Sequence, residues 1–291
     1  MNKIFVIGNG FDLYHGLKTS YKDFKDYVKD TNYKLFELIE RYYLYRKDDF
    51  WYDFESNLAY LDDGAIRDYA SNYLEPYGCE NWRDAYHHDY QYEINNIIDS
   101  VVNGLDISFK EWIKHISIEG IQQGKIELDL NSFFLSFNYT QTLEQIYNIP
   151  LKQILYIHGK YTGMEDDNLI YGHGGKAYDI NMEHEDPRVT EGEEIIQEYF
   201  EKTTKPVNKI IHKNKSFFDS LSPETKCLIV IGHSMNEIDA PYFKEISKHV
   251  NRNADWNYYF YSTEDIVTCL NLLHGELNIP YKHIRFLSYP V

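Results

Sequence analysis

The stretch that decides the fold stands at the start of the chain: Ile4-Phe5-Val6-Ile7-Gly8-Asn9-Gly10-Phe11-Asp12. Four apolar residues that end at two glycines are typical of a short buried strand that turns sharply. A helix is expected next, capped by Thr19 or Ser20 and carrying Tyr21 and Phe24 on one face. A glycine turn between a strand and a helix lets backbone amides approach a pyrophosphate, although the same turn can be purely structural.

Most of the remaining chain alternates between strand-like and helix-like segments. Apolar runs predict strands at 133–137, 154–157, 226–231, 256–261 and 283–287, and a further short strand at 169–171. Helical spacing predicts helices at 193–200, 207–218, 241–250 and 264–274, and the polar stretch 172–187 is predicted to be an ordered loop. Because strands that alternate with helices form sheets covered on both faces, we predict an α/β fold with a Rossmann-like, mostly parallel sheet.

One long segment, 33–126, lacks this alternation. Its apolar residues follow helical spacing throughout, and no strand is predicted in it. We therefore predict a nucleotide-binding α/β domain formed by 1–32 and 127–291, with 33–126 as a helical insertion or cap packed on it.

Composition and charge exclude several classes of protein. The chain has 291 residues, 43% hydrophobic and 26% charged, which is a globular composition. Its 29 basic and 46 acidic side chains give a net charge of −17, which argues against a nucleic-acid-binding surface. No apolar run approaches the roughly 20 residues of a membrane span, and the first residues lack a signal-peptide layout. We expect a cytoplasmic protein that binds neither nucleic acid nor membrane.

The chemically suggestive side chains follow the predicted strands, where ligands of open α/β sheets bind. Asn138 follows the strand 133–137, and its amide could hold a water or a ribose hydroxyl, or cap a helix. His158 follows the strand 154–157, and we expect it to lie near solvent as a general base. The turn Gly232-His233-Ser234 follows the strand 226–231.

The same residues raise the question of two other chemistries, a serine hydrolase and a metal site. A serine hydrolase could use Ser234, Asp265 and His283, but Asn236 stands where the nucleophile elbow requires a small residue. A metal site is not expected, because the histidines beside glycines match no zinc spacing and the three cysteines are scattered.

Taken together, these segments resemble the bacteriophage abortive-infection AbiH family. The stretches that carry this resemblance are Ile7-Gly8-Asn9-Gly10-Phe11-Asp12-Leu13, Gly16-Leu17-Lys18-Thr19-Ser20-Tyr21 with Phe24, Trp51 with Phe54-Glu55, Leu135-Ser136-Phe137-Asn138-Tyr139-Thr140 with Leu143-Glu144, Tyr156-Ile157-His158-Gly159, Tyr171-Gly172-His173-Gly174, and Ile231-Gly232-His233-Ser234 with Asp239 and Tyr242-Phe243. They span nearly the whole chain in order.

The order of these motifs is also similar to that of the sirtuin fold. That resemblance implies that Gly8, Asn9, Gly10, Gly232 and Ser234 bind NAD and that Asn138 and His158 are catalytic. Asp12, Thr19, Ser20 and His233 complete the predicted nucleotide site. The zinc-binding cysteines of deacetylase sirtuins are absent and a helical segment stands early in the chain, so the resemblance implies the defence-type proteins that hydrolyse NAD⁺.

The predicted function is that of an antiphage abortive-infection protein that hydrolyses NAD⁺ to nicotinamide and ADP-ribose. The nicotinamide leaves as a neutral molecule, so the reaction needs a water, a base and stabilisation of an oxocarbenium-like sugar. Asp12 could face that cation. The alternatives are the serine hydrolase and a non-enzymatic nucleotide-sensing defence protein. NAD is expected as substrate with no metal, and the expected partners are the nucleotide, a second copy of the chain and a phage-derived trigger protein.

Overall fold

A computed structural model describes residues 3–44, 50–80, 82–122, 126–164, 167–175 and 186–290. The chain divides into two compact units. The sheet unit consists of Met1–Ser20, Ile113–Ile170 and Pro206–Val291, and the helical unit consists of Tyr21–Trp112 and Tyr171–Lys205.

The sheet unit is built on six strands. They are β1 (Lys3–Ile7), β2 (Phe133–Ser136), β3 (Ile154–Tyr156), β4 (Cys227–Ile231), β5 (Asp255–Tyr259) and β6 (Ile284–Leu287). Their order is β3-β2-β1-β4-β5-β6, and each of the five neighbouring pairs is parallel. The prediction of a Rossmann-like α/β sheet is confirmed.

Twelve α-helices lie in the described part of the chain. They are α1 (Asn9–Tyr14), α2 (Tyr21–Thr31), α3 (Tyr33–Tyr42), α4 (Phe54–Asn57), α5 (Asp63–Ser71), α6 (Asp89–Lys114), α7 (Thr142–Gln145), α8 (Pro187–Thr203), α9 (Val207–Lys213), α10 (Lys215–Ser220), α11 (Ala240–His249) and α12 (Thr263–Leu270). The predicted helix at 207–218 is two helices that meet at Asn214, and the one at 264–274 ends as a π-helix over Asn271–Glu276.

Both faces of the sheet are buried. Ile4, Val6 and Val230 point into one apolar cluster, which also contains buried side chains of α11. Phe5 and Ile7 point into a second cluster on the opposite face. Alternate residues of one strand thus serve two cores, which explains why β1 is a continuous apolar run rather than an alternating one.

The helical unit is held by a cluster of aromatic rings. The ring of Phe24 lies 5.4 Å from that of Trp51, 5.4 Å from that of Phe54 and 5.3 Å from that of Phe109, all in edge contacts. Such contacts add about 0.5–1.5 kcal/mol per pair beyond the buried area. Beside the cluster, the buried Lys205 ammonium lies 2.6 Å from the Glu55 carboxylate.

The observed division differs from the predicted boundaries at three places. Residues 21–32 and 171–205 belong to the helical unit, and 113–126 belong to the sheet unit. The reason for the first difference is that α2 buries Phe24 and Val28, and Phe24 lies in the aromatic cluster of the helical unit. The helical character predicted for 33–126 agrees with α3, α4, α5 and α6.

The predicted strand at 169–171 is wrong. This stretch has no regular secondary structure. It is connected to the end of β3 by a backbone hydrogen bond from the Ile170 N–H to the His158 carbonyl (2.8 Å). Three apolar residues are too short a run to distinguish a strand from a buried loop. Of the predicted loop at 172–187, residues 176–185 lie outside the described residues.

Candidate functional site

The strand order places a topological switch point between β1 and β4. From β1 the chain builds the sheet outward through β2 and β3 on one side and through β4, β5 and β6 on the other. The last residues of the central strands, Ile7 and Ile231, are register partners, so the loops that follow them leave the same edge together. Ligands of open α/β sheets bind in the crevice outside such a switch point.

The two loops at the switch point are in backbone contact, and their glycines make this possible. A Cβ at Gly8 would lie 2.6 Å from the Gly232 carbonyl oxygen, and one at Gly10 would lie 2.7 Å from the Gly232 Cα. Gly232 has a φ of +71°, and a Cβ there would collide with the backbone nitrogen of Phe11. The close approach of two backbones is therefore what requires these residues to be glycine.

The same contact uses the amides of the first turn. The Gly8 N–H donates to the Ile231 carbonyl (2.9 Å), and the Gly10 N–H donates to the Gly232 carbonyl (2.8 Å). The Asn9 side-chain amide donates to the Thr19 carbonyl (2.6 Å). The two backbone amides join the loops to one another and the Asn9 amide is bonded to the segment before α2, so their predicted contact with a pyrophosphate would require breaking those bonds.

Three predicted site residues carry buried polar atoms that lack a hydrogen-bond partner among the described residues. They are Oδ1 of Asp12, Oγ1 of Thr19 and Oδ1 of Asn138, and each residue is less than 10% exposed. The other oxygen of Asp12 accepts a short hydrogen bond from the Thr140 hydroxyl, which lies 3.0 Å from that of Thr142. An unpaired buried polar atom costs about 1–3 kcal/mol, so such atoms point to a bound water or ligand group.

Asp12 is the charged member of this polar cluster. Burial raises the pKa of Asp12 to about 6, while hydrogen bonds from Thr140, Thr142 and Asn138 act in the opposite direction. At neutral pH the carboxylate is therefore mostly ionised, in an environment that favours the uncharged form. A cation or a hydrogen-bond donor beside Oδ1 would stabilise it.

Asn138 does not cap a helix. Its N–H donates to the Ser136 hydroxyl (3.2 Å), and the next helix, α7, begins at Thr142 with Gln141 at its N-cap position. The helix-cap alternative left open by the sequence is wrong. The amide belongs instead to the cluster around Asp12, at the carboxyl end of β2.

His158 lies inside the protein, and the expectation of an imidazole near solvent is wrong. It is 2% exposed, with Nε2 3.3 Å from the Tyr242 hydroxyl and 3.9 Å from Oδ1 of Asp239. The backbone turns directly after this residue, where Gly159 has a φ of +83° and the His158 carbonyl accepts from the Ile170 N–H (2.8 Å).

Asp239 joins the two site histidines. Its Oδ2 lies 3.4 Å from Nε2 of His233, while its Oδ1 faces His158. Nδ1 of His233 accepts the Met235 N–H (2.8 Å), so the proton of the neutral ring is on Nε2, toward the carboxylate. The Phe137 ring contacts both imidazoles, with centroid distances of 4.1 Å to His233 and 5.2 Å to His158.

The sequence interpretation assigned no role to Asp239 or Tyr242. Both occur among the stretches that resemble the AbiH family, and they stand three residues apart at the start of α11. The spacing of three places two side chains on one face of a helix, which was the available signal.

A cleft of about 660 Å³, which we call the tyrosine cleft, opens beside the switch point. It is lined by Gly10, Leu13, Tyr14, Gly232, His233, Ser234, Tyr258, Tyr259, Tyr261, Asp265 and Tyr289. Its volume is in the range of small-molecule sites. Four of the predicted nucleotide residues line this cleft: Gly10, Gly232, His233 and Ser234. Asp12, Thr19 and Asn138 are instead buried in the interior. Ser20 is partly exposed and does not line the cleft.

The serine-hydrolase triad does not form. Ser234 follows the carboxyl end of β4, whereas His283 precedes β6 and contacts Asp255 at the amino end of β5 (3.0 Å). Parallel strands put these positions at opposite edges of the sheet. The non-glycine residue with positive φ after β4 is Met235 (+53°) rather than the serine that a nucleophile elbow would strain.

Two further kinds of site are absent from the described residues. No group of three or more His, Cys, Asp or Glu side chains in the described ranges is arranged to hold a metal ion. Within the same ranges, no helix has the length and apolar character needed to cross a membrane.

Comparison with known proteins gives the family. No curated protein matches the chain. The family model described as "Bacteriophage abortive infection AbiH" matches residues 4–260. This range includes β2 to β5 and all of β1 except Lys3, and the site residues that lie beyond it are Tyr261, Asp265, His283 and Tyr289. With most of its length matched, the chain belongs to the AbiH family of bacteriophage abortive infection.

Proposed function

We propose that the protein acts in abortive infection by hydrolysing NAD⁺ to nicotinamide and ADP-ribose. The observation that carries this proposal is a pair of buried oxygens without a partner among the described residues, Oδ1 of Asp12 in α1 and Oδ1 of Asn138 after β2. Two neighbouring acceptors without a donor fit a ligand that brings hydroxyl donors and positive charge. The nicotinamide riboside half of NAD⁺ carries both.

Asp12 supplies the electrostatic part of the proposed reaction. When the C1′–N bond breaks, the bonding electrons leave with nicotinamide and the positive charge moves to the ribose ring. An ionised carboxylate in a water-poor site stabilises that charge more strongly than water does, because it is already oriented. This use gives a reason for keeping an ionised Asp12 where burial raises its pKa to about 6.

His158 is the proposed base. A water attacks C1′ as the bond breaks, and its proton passes to the imidazole; such transfer contributes typically about 10²–10⁴-fold. Asn138 would hold the water or a ribose hydroxyl through its amide. Asp239 and Tyr242, both within 4 Å of Nε2 of His158, would orient the ring and stabilise it when it is protonated.

A second candidate, a non-enzymatic nucleotide sensor, is favoured by two observations. His158 is only 2% exposed, and the turn amides at Gly8 and Gly10 are bonded within the protein. A nucleotide that replaced those bonds could change the conformation without being consumed. Such a ligand would be recovered intact, whereas the proposed enzyme releases nicotinamide.

The test is to incubate the purified chain with NAD⁺ and to identify the products by chromatography. We expect nicotinamide and ADP-ribose in equal amounts, and a loss of at least about 100-fold in rate in Asn138→Ala. Ser132→Ala is the matched control, because Ser132 is also buried, with an unpartnered hydroxyl, but precedes β2 at the opposite edge. Recovery of unchanged NAD⁺ from a protein that binds it would favour the sensor.

A further inference from the structure

The cleft beside β5 presents fixed aromatic rings. The Tyr14 hydroxyl donates to the Pro290 carbonyl (2.6 Å), and the Tyr258 hydroxyl donates to the His233 carbonyl (2.9 Å). The Tyr289 ring lies 4.9 Å from that of Tyr14 and 5.7 Å from that of Tyr259. Because hydroxyl bonds and ring contacts hold these side chains in place, binding a flat aromatic group here costs little ordering entropy.

Among the described residues, the only charged side chain that lines this cleft is negative. None of its lining residues is Lys or Arg, and Asp265 contributes a half-buried carboxylate. Oδ2 of Asp265 accepts the N–H groups of Tyr261 (3.1 Å) and Ser262 (2.9 Å). Oδ1 has no partner among the described residues and remains able to accept a hydrogen bond.

The nearby start of α12 does not offset that charge. The Ser262 hydroxyl accepts the Asp265 N–H (3.2 Å), and Asp265 accepts the Ser262 N–H in return, so a capping box already uses these groups. A phosphate group in this part of the cleft would meet a carboxylate and no cation. A ribose hydroxyl would meet an acceptor, as the acidic residue of dinucleotide sites does with the 2′-hydroxyl.

We infer that this cleft binds the nucleoside end of the substrate that is remote from the scissile bond, and that Asp265 selects NAD⁺ over NADP⁺. The inference rests on the proposed function. The base lies against the tyrosine rings, and the 2′-hydroxyl donates to Oδ1 of Asp265. A 2′-phosphate at that position is rejected by charge repulsion and by the loss of the hydroxyl donor, two penalties that act together.

The experiment measures dissociation constants by calorimetry for NAD⁺ and NADP⁺, and for AMP and adenosine 2′,5′-bisphosphate. The wild-type protein is expected to bind the ligand without the 2′-phosphate at least about tenfold more tightly in both pairs. Asp265→Asn keeps an oxygen for the backbone bonds and removes the charge, so the ratios should fall to about threefold or less. Glu264→Gln removes one charge from the same helix turn outside the cleft lining and should leave both ratios unchanged.

A wild-type ratio near one, or a ratio that persists in a folded Asp265→Asn protein, would overturn the inference. If that variant does not fold, the two wild-type ratios still decide it. Binding does not require turnover, so the predicted selectivity without nicotinamide release would refute hydrolysis and leave the role of Asp265 standing. Turnover of both dinucleotides at equal efficiency would support hydrolysis and refute the proposed role of Asp265.

Discussion

Oδ2 of Asp239 lies 3.4 Å from Nε2 of His233, the ring nitrogen that carries the proton because Nδ1 accepts the Met235 N–H. His233 is a lining residue of the tyrosine cleft, while the other oxygen of the same carboxylate faces His158. One buried carboxylate thus connects the wall of the cleft with the proposed base. Asp239 is thus in contact with both histidines of the site.

Asp239 is therefore expected to act as a positioning residue. Asp239→Asn should lower kcat by about 10–100-fold with little change in KM, because the base loses its orientation while the nucleotide contacts remain. The pH profile should also change, since the protonated His158 loses a stabilising partner. Steady-state kinetics of nicotinamide release measure both effects. Asp219→Asn, at an exposed position of α10, is the control and should leave kcat unchanged.

A second prediction concerns the stability of the protein, to which Asp12 contributes unfavourably at neutral pH. Its pKa rises from 3.8 in the unfolded chain to about 6 in the fold, so between these values the native state holds more protons and stability falls as pH rises. Asp12→Asn should remove this penalty and raise the free energy of unfolding at pH 7.5 by on the order of 3 kcal/mol.

Denaturant unfolding at two pH values tests this expectation. The difference between wild type and Asp12→Asn should be much smaller near pH 4, where the native carboxyl is protonated and that of the unfolded chain is partly protonated, and it should vanish at pH values well below 3.8. The stabilised variant should at the same time lose NAD⁺ hydrolysis, as expected where a functional residue is kept at a cost in stability. A variant less stable than wild type at both pH values would contradict the assigned ionisation.

The same residue predicts an acidic limb in the activity profile. Protonation of Asp12 removes the charge that faces the sugar cation, so the rate of NAD⁺ hydrolysis should fall as pH decreases through about 6. The measurement is kcat between pH 5 and 8, within the range where the protein is folded. A constant kcat across this range would show that ionised Asp12 is not required.

A fourth prediction separates backbone strain from collision at the switch point. Gly232→Ala brings a Cβ against the backbone nitrogen of Phe11. We therefore expect the free energy of unfolding to fall by about 4 kcal/mol or more, or the variant to fail to fold. Gly16 has a similar φ of +82° with open space around it, and Gly16→Ala should cost only about 1–2 kcal/mol. Thermal unfolding of both variants provides the comparison. Equal losses of stability in the two variants would mean that the close contact between the two loops adds nothing to the cost of a Cβ at Gly232.

The elements that were predictable from the sequence are those whose signal is local. The apolar runs at Ile4–Ile7 and Cys227–Ile231 are buried on both faces of the sheet, so their strands were visible without knowledge of their neighbours. The loops at their ends were identified for the same reason, because glycines interrupt the apolar runs. These two features are enough to locate the switch point.

Features that depend on distant parts of the chain were not predictable. His158 is buried beside Tyr242 and Asp239, and both of these residues are far from it in sequence. The tyrosine cleft likewise gathers Tyr14, Tyr258 and Tyr289 from three places. Each tyrosine alone is ordinary for a chain with 28 of them.

The most direct test of the account is the initial rate of nicotinamide release at saturating NAD⁺ by wild type, His158→Gln and His283→Gln. His283 is a partly buried histidine that is likewise paired with an aspartate, but it lies at the opposite edge of the sheet and provides the matched control. We predict that His283→Gln keeps the wild-type rate and that His158→Gln, folded and binding NAD⁺, loses at least about 100-fold. A folded His158→Gln protein that releases nicotinamide at the wild-type rate would contradict the proposed mechanism.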